Sequence, residues 1–171
     1  MYPVDLTGKT GIVFGIANQR SIAWAIAQVL HQAGARLAFA YQNERLRDGV
    51  AKLAGSLEDT ALVECDVGSD DNVAAAFESA GDQLGGLDMI VHSIAFANRD
   101  DLGGRFVDTE REGFRVALDI SAYSLVSIAR YGTPLMKDGG SILTLTFQAA
   151  NRVFPGYNVM GTAKAALENE V

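Results

Sequence analysis

Five short apolar runs, separated by amphipathic stretches, constrain this chain more than any other feature. They are Gly11–Gly15 (GIVFG), Arg36–Tyr41 (RLAFAY), Ala61–Cys65 (ALVEC), Leu87–Ile94 (LDMIVHSI) and Ser141–Phe147 (SILTLTF). The runs are mostly continuous rather than strictly alternating, which is the pattern of strands buried on both faces. Helical stretches lie between them. Ser21 opens one in which Ile22, Ile26, Val29, Leu30 and Ala33 share a face, with Gly34 as its C′ stop. Ser69, followed by Asp70 and Asp71, opens another. Thr109-Glu110-Arg111-Glu112 has the spacing of a capping box and opens a long helix running toward Pro134. A last helix occupies Tyr157–Val171. Strand–helix alternation at this spacing requires right-handed crossovers. The expected fold is therefore α/β, a doubly wound, Rossmann-like parallel sheet in three layers.

A chain of 171 residues fits one domain, and no repeat or linker interrupts residues 1–171. A complete sheet of this kind has about six strands, and five runs are present. No Gly or Pro closes the last helix before Val171. The expectation is a single dinucleotide-binding domain lacking its C-terminal part, truncated after the fifth strand and the helix that follows.

Composition narrows the function classes. Apolar residues make up 49% and charged residues 20%, ordinary for a packed globular chain. A net charge of −7 argues against nonspecific binding to nucleic acid or anionic membrane. No apolar run is long enough to cross a bilayer, and Met1–Leu6 has no basic or apolar leader pattern. Cys65 is the one cysteine, so no intramolecular disulfide can form and a reducing compartment, the cytosol, is expected. His92 reads as a buried structural histidine and His31 as a surface one. With Cys65 they give no metal site.

The chemistry-bearing residues cluster at strand ends. After the first run comes Gly15-Ile16-Ala17-Asn18-Gln19-Arg20-Ser21-Ile22, where a glycine permits a tight turn and a helix start offers N–H groups to a pyrophosphate. It is not G-x-G-x-x-G, and a plain turn with an N-cap fits the residues as well. After the second run, Tyr41-Gln42-Asn43-Glu44-Arg45 puts a neutral amide where an acidic residue would select NAD and a basic one NADP. Gln42 suits the adenosine ribose, although Arg45 or Arg47 could reach a phosphate. Asp66 and Val67 follow the third run, and Ser93 through Ala97 the fourth, where polar residues are common for many reasons. Tyr157 and Lys164 form the most informative pair: seven residues are nearly two helical turns, so both fall on one face roughly 10 Å apart along the axis. A lysine bonding a cofactor ribose and a phenol reaching a substrate oxygen suit carbonyl or enoyl reduction.

Together these segments resemble the short-chain dehydrogenase/reductase superfamily, and more closely its divergent branch, the bacterial enoyl-acyl carrier protein reductases. The likeness rests on Ser21-Ile22-Ala23-Trp24, Ala40-Tyr41-Gln42, Cys65-Asp66-Val67, His92 through Ala97, Leu118-Asp119-Ile120-Ser121 and Tyr157-Asn158-Val159-Met160-Gly161. Six residues intervene between Tyr157 and Lys164, where ordinary superfamily members have three. The resemblance implies an NADH-dependent reductase of enoyl thioesters on acyl carrier protein, with NADPH the less favoured cofactor, working as a homotetramer in fatty-acid synthesis. It implies that Gly15, Ser21 and Ile22 line the pyrophosphate and that Gln42 meets the adenosine ribose. Asp66 and Val67 would hold adenine, with Ser93 and Ile94 beside the adenosine half and Lys164 on the nicotinamide ribose. Ala97 and Phe147 would contact substrate, and Tyr157 would bond the thioester carbonyl. Phe147 stands where many members have a second tyrosine, which puts a two-tyrosine mechanism in doubt. Relatives continue beyond this length with further strands and a loop over the nicotinamide. The 171-residue chain alone is accordingly expected to be inert, with Ser141–Phe147 an edge and Ala165, Ala166 and Leu167 short of partners. An ordinary short-chain dehydrogenase and a non-catalytic dinucleotide-binding module are the alternatives.

Overall fold

A short central strand, β1 (Thr10–Val13), pairs in parallel with β2 (Arg36–Tyr41) on one edge and β4 (Met89–His92) on the other. β2 pairs in parallel with β3 (Ala61–Glu64), and β5 (Ser141–Thr144) closes the far side, giving the order β3-β2-β1-β4-β5. Among the described residues, the crossovers hold α1 (Ile22–Gln32), α2 (Glu44–Ala54), α3 (Asp70–Leu84), α4 (Arg111–Leu118) and α5 (Ser124–Gly132), and α6 (Asn158–Asn169) follows β5. This is the doubly wound parallel arrangement expected from the sequence. The computed structural model describes residues 4–171; Met1–Pro3, the first part of the segment read as having no leader, lie outside the described residues. The chain forms two compact units, one running up to Ser93 and including Ala129–Leu143, the other comprising Ile94–Ile128 and Thr144–Val171.

In the first unit the apolar strands bury both faces. Val13, Leu37, Phe39 and Val91 pack against Ala23, Trp24 and Ala27 of α1 and Val50 and Ala54 of α2. Ile12 and Ile90, one residue out of phase, point to the opposite face, where a Cβ at Gly132 would collide with Ile90 and the Phe77 ring of α3. Helices thus cover both sides of the sheet. The expected apolar face of α1 is corrected. Ile26 and Leu30 are partly buried, but Ile22 and Val29 are 67% and 65% exposed. The inward stripe is instead set by Trp24, edge-on to Phe39 with centroids 5.9 Å apart, and by the small Ala23 and Ala27, which let the helix approach the sheet. Gly34 does close α1. At φ +100° it donates to His31 O at 2.9 Å, and Ala35 N reaches Leu30 O at 3.1 Å, the paired bonds of a Schellman motif. Ser69 caps α3 as expected, its hydroxyl accepting from Asn72 N at 3.4 Å.

β2 matches its apolar run, and the other strands are shorter than theirs. Asp88 precedes β4; its carboxylate accepts from Lys9 Nζ at 2.7 Å and Thr10 N at 2.9 Å, and the bond from Lys9 holds its pKa below the ordinary carboxylate range. Leu145, Thr146 and Phe147 leave β5. The Leu145 carbonyl accepts from Lys164 of α6 at 2.9 Å, and the Thr146 hydroxyl donates to Glu168 Oε1 at 2.6 Å.

In the second unit the expected capping box does not form. Thr109 ends a short 3₁₀ turn over Phe106–Asp108, and α4 begins with Glu110 at its N-cap without a side-chain bond. Glu112, the carboxylate that would complete the box, is drawn to Arg115 by two bonds of 2.9 and 2.7 Å. The long helix exists but in pieces, α4 passing through a π-helical turn (Asp119–Tyr123) into α5. Helix α6 buries Val159, Met160, Ala163, Lys164 and Leu167, and Leu167 packs with Ala122 and Leu125. Ala166 is half-buried there, but Ala165, placed on the inner stripe from sequence, is exposed. No helix among the described residues is long and apolar enough to cross a membrane.

Gly15 is the tightest joint of the first unit. Its φ is +88°, and a Cβ there would collide with the Ser93 carbonyl. Gly15→Ala combines a left-handed backbone, costing about 1–2 kcal/mol, with a clash that only backbone movement relieves. Urea denaturation should show a loss of at least about 2 kcal/mol; an unchanged midpoint would contradict this reading of the turn.

Candidate functional site

The first unit gathers one set of polar groups past the C-terminal ends of its strands. After β1 the chain turns through Gly15, and the loop to α1 is organised by Ser21. Its hydroxyl accepts from Ala17 N and Asn18 N, each at 3.0 Å, while Asn18 Oδ1 accepts from Arg20 N at 2.9 Å. Ser21 is also the N-cap residue of α1, yet with its oxygen turned to the loop it makes no side-chain bond to the helix. The first N–H groups of α1 thus keep no side-chain cap, and the helix dipole adds positive potential there. Such a start fits a pyrophosphate, and Ile22 stands exposed beside it.

Gln42 is exposed immediately after β2, with Arg45 exposed nearby and Arg47 paired to Glu44 at 3.2 Å. Asn43, which no sequence motif singles out, carries a buried Oδ1 with no hydrogen-bond partner. An orphaned acceptor at this strand end fits the donors of an adenosine. Past β3, Asp66 receives Gly68 N on Oδ1 at 3.1 Å, which fixes the turn, and Val67 is half-buried. Cys65, just before, is buried, and burial with the neighbouring Asp66 charge pushes its thiol up to about 12. It is inert at neutral pH. Ser93 is half-buried with its carbonyl against Gly15, and His92 is fully buried, as the sequence indicated.

The second unit holds the other set. Lys164 is 5% exposed, and its Nζ donates to Ile94 O at 3.0 Å and Leu145 O at 2.9 Å. An ammonium has three donors, and these bonds use two. Burial lowers its pKa from 10.5 to about 8. Tyr157 lies at the N-cap of α6, outside the helix proper, and is 44% exposed. The α-helical spacing argument therefore holds for Lys164 but not for the phenol. Tyr157 is oriented instead by Phe147, the ring centroids 4.7 Å apart, and Phe147 also neighbours Phe154 at 6.4 Å. Ala97 is half-buried in the same unit, following Ile94.

Two further polar side chains here were missed as site residues. Asn158 Nδ2 donates to Gly103 O at 2.7 Å, tying the loop after Ala97 to the start of α6. Ser121, in the π-helical turn, bonds both polar groups of the Phe96 backbone at 2.8 Å. Each lay within a quoted segment, but the direction of a side chain leaving a π turn has no sequence signal.

The strand order, the glycine turn after β1 and the uncapped start of α1 define a dinucleotide-binding α/β fold. Residues 15–171 match the enoyl-(acyl carrier protein) reductase family, and the chain belongs to that family. It is 52% identical to the enoyl-(acyl-carrier-protein) reductase (NADH) FabI of Bacillus cereus, covering 97% of this chain and 66% of the relative. Against the enoyl-(acyl-carrier-protein) reductase (NADPH) FabI of a Staphylococcus aureus strain, identity is 47%, over 98% of this chain and 66% of the relative. The crystal structure of the Bacillus cereus enoyl-acyl carrier protein reductase with NADP+ and indole naphthyridinone superposes with a TM-score of 0.95 at 51% identity. It too is covered over 66% of its length, by 98% of this chain. The chain thus spans about two thirds of the length of these relatives.

The lowered Lys164 pKa makes a testable claim. Between about pH 8 and 10.5 the unfolded chain holds a proton on this lysine that the folded chain has lost. Stability contributed by this group should then rise with pH across that window. NMR of isotopically labelled lysine should give a midpoint near 8 for Lys164, and wild type should gain stability relative to Lys164→Met from pH 8 to 10. A midpoint above 10 would remove the claim.

Proposed function

We propose that the full-length protein reduces the trans-2 double bond of enoyl thioesters carried on acyl carrier protein, using NADH, in fatty-acid synthesis. The observation that carries this reading is that α6 buries the Lys164 ammonium on two backbone carbonyls while the Tyr157 phenol stands exposed at the start of that helix. Both units are read as parts of one dinucleotide-binding domain. The first N–H groups of α1 and the turn at Gly15 take the pyrophosphate, with Ser21 shaping the loop and Ile22 flanking it. Gln42 meets the adenosine ribose; Asp66 and Val67 hold adenine, and Ser93 and Ile94 flank the adenosine half. Lys164 has one N–H beyond those given to Ile94 and Leu145, and it would donate this to the nicotinamide ribose.

Bound NADH supplies the hydride that reaches the β-carbon of the enoyl thioester. Negative charge then develops on the thioester oxygen. Tyr157 donates a hydrogen bond to it, and the Lys164 ammonium adds positive field in a poorly solvated place where such a field acts strongly. Phe147 offers no hydrogen, so a single phenol acts on the substrate oxygen, while Phe147 and Ala97 bound the acyl chain. Since Gln42 is neutral and Arg47 is paired with Glu44, NADH is preferred over NADPH. Working as a homotetramer in the cytosol belongs to the same reading, as does an acidic carrier protein delivering the substrate.

Two measurements in the chain carried to the length of its relatives test this. Tyr157→Phe should lower turnover of a crotonyl thioester by one to three powers of ten, on the order of losing one oxyanion donor, with NADH affinity nearly unchanged. Unchanged turnover would move the chemistry elsewhere. Calorimetric titration should show NADH binding more tightly than NADPH, and a reversed order would refute the role given to Gln42. NADH binding without any turnover would favour the non-catalytic module.

A further inference from the structure

Residues 93–98 have no regular secondary structure, yet their backbone is not left to solvent. Lys164 Nζ donates to the Ile94 carbonyl at 3.0 Å. Two residues on, the Ser121 hydroxyl accepts from Phe96 N and donates to Phe96 O, both at 2.8 Å. One hydroxyl therefore satisfies the whole hydrogen-bonding capacity of a residue 25 positions earlier in the chain, apart from the second carbonyl lone pair. The Phe96 side chain is itself 49% exposed, so apolar packing is not what holds this residue in place.

Ser121 reaches Phe96 from the π-helical turn Asp119–Tyr123. Such turns carry one residue more than an α-helical turn, widen the buried face and occur frequently at functional sites. Here the consequence is visible in two neighbours. Ser121 is 0% and Ala122 2% exposed, although they are consecutive. Ala122 goes to the apolar cluster with Leu125 and Leu167, and Ser121 goes to the Phe96 backbone. The turn lets one helix supply a core residue and a polar latch at adjacent positions.

We propose that Ser121 is a positioning residue of the enoyl reductase reaction: it fixes the Phe96 backbone and so presents Ala97, the next residue, to the acyl substrate. This rests on the functional reading above. Lys164 holds Ile94 independently, so the cofactor-side end of the segment keeps its anchor when Ser121 is changed. Ser121→Ala removes one oxygen from a buried site without adding volume, and leaves the Phe96 N–H and carbonyl without that partner.

The experiment uses the chain carried to the length of its relatives, wild type and Ser121→Ala, with two readouts. Amide hydrogen exchange should accelerate at least tenfold at Phe96 and its neighbours while β1 and β4 keep their protection. For a crotonyl thioester, kcat/KM should fall between ten- and a hundredfold while the Kd for NADH stays within threefold. A general loss of structure would instead raise exchange in the strands and weaken NADH together. Unchanged exchange at Phe96 overturns the latch, and faster exchange with unchanged kcat/KM overturns the positioning role. If the wild type binds NADH but reduces no enoyl thioester, the functional reading fails; the exchange result still decides whether Ser121 holds the segment.

Discussion

Everything in the first unit is arranged around β1, four residues paired on both edges and buried on both faces. Thr10–Val13 must bond β2 on one side and β4 on the other, so neither edge can accept a ligand. Ile12 and Val13 are fully buried and face opposite ways, so neither face can carry a polar side chain. A strand under these constraints has nowhere to place chemistry except beyond its C-terminal end. The adjacent strands obey the same rule, and Gly15, Gln42, Asp66 and Ser93 each follow the last residues of a strand. Their clustering is a consequence of topology, because parallel strands bring all their C-terminal ends to one side. The Gly15–Ser93 contact then fixes how closely two of those ends can approach, at a place where any side chain would force them apart.

In the second unit a different constraint governs. A lysine ammonium at 5% exposure is costly unless it is well bonded, and Lys164 is bonded by two carbonyls that no strand uses. Those carbonyls belong to Ile94 and Leu145, each in the segment that follows a strand, β4 and β5 respectively. The lysine therefore joins the two segments and itself depends on them. Low solvation lowers its pKa toward 8, which keeps it mostly charged at neutral pH while making its field little screened. Tyr157, at the N-cap of the same helix and half open to solvent, has the opposite environment. A desolvated cation and an accessible donor are complementary means of stabilising an oxygen that gains charge.

The strand–helix order was legible because buried parallel strands leave continuous apolar runs, and every run contains a strand. Both ends of β2 were legible, whereas each other strand had at least one end that was not. Past β5 the Leu145 carbonyl is taken by Lys164, a partner distant in sequence that no local pattern announces. Amphipathicity misled at α1, where Ile22 and Val29 look like core and are exposed, because Trp24 with two alanines sets the inward face. At Thr109 a local motif lost to a competing ion pair between Glu112 and Arg115. The strand-end positions of Gly15, Gln42, Asp66 and Ser93 were readable from element order alone, since topology brings the strand ends to one side. Ser121 and Asn43 were not, because one depends on a π turn and the other on being buried without a partner.

Phe147 shows how one aromatic substitution redistributes work within such a site. A tyrosine there could both stack and donate, whereas phenylalanine can only stack. The contact it makes, with ring centroids 4.7 Å apart at 53°, lies in the range where aromatic pairs contribute about 0.5–1.5 kcal/mol beyond their burial. That contact acts on Tyr157, which lies outside the helix and has no α-helical rotamer restriction. Phe147 therefore restrains the one phenol that remains rather than adding a second donor. Restraint matters because a donor contributes to an oxyanion only where it is already aimed, and a freely rotating phenol would lose conformational freedom on each turnover. Phe154 also neighbours Phe147, so the phenol packs within an aromatic group while Lys164 is held by backbone carbonyls. A phenylalanine at position 147 is thus compatible with the proposed single-phenol chemistry, because its ring packs against that of Tyr157.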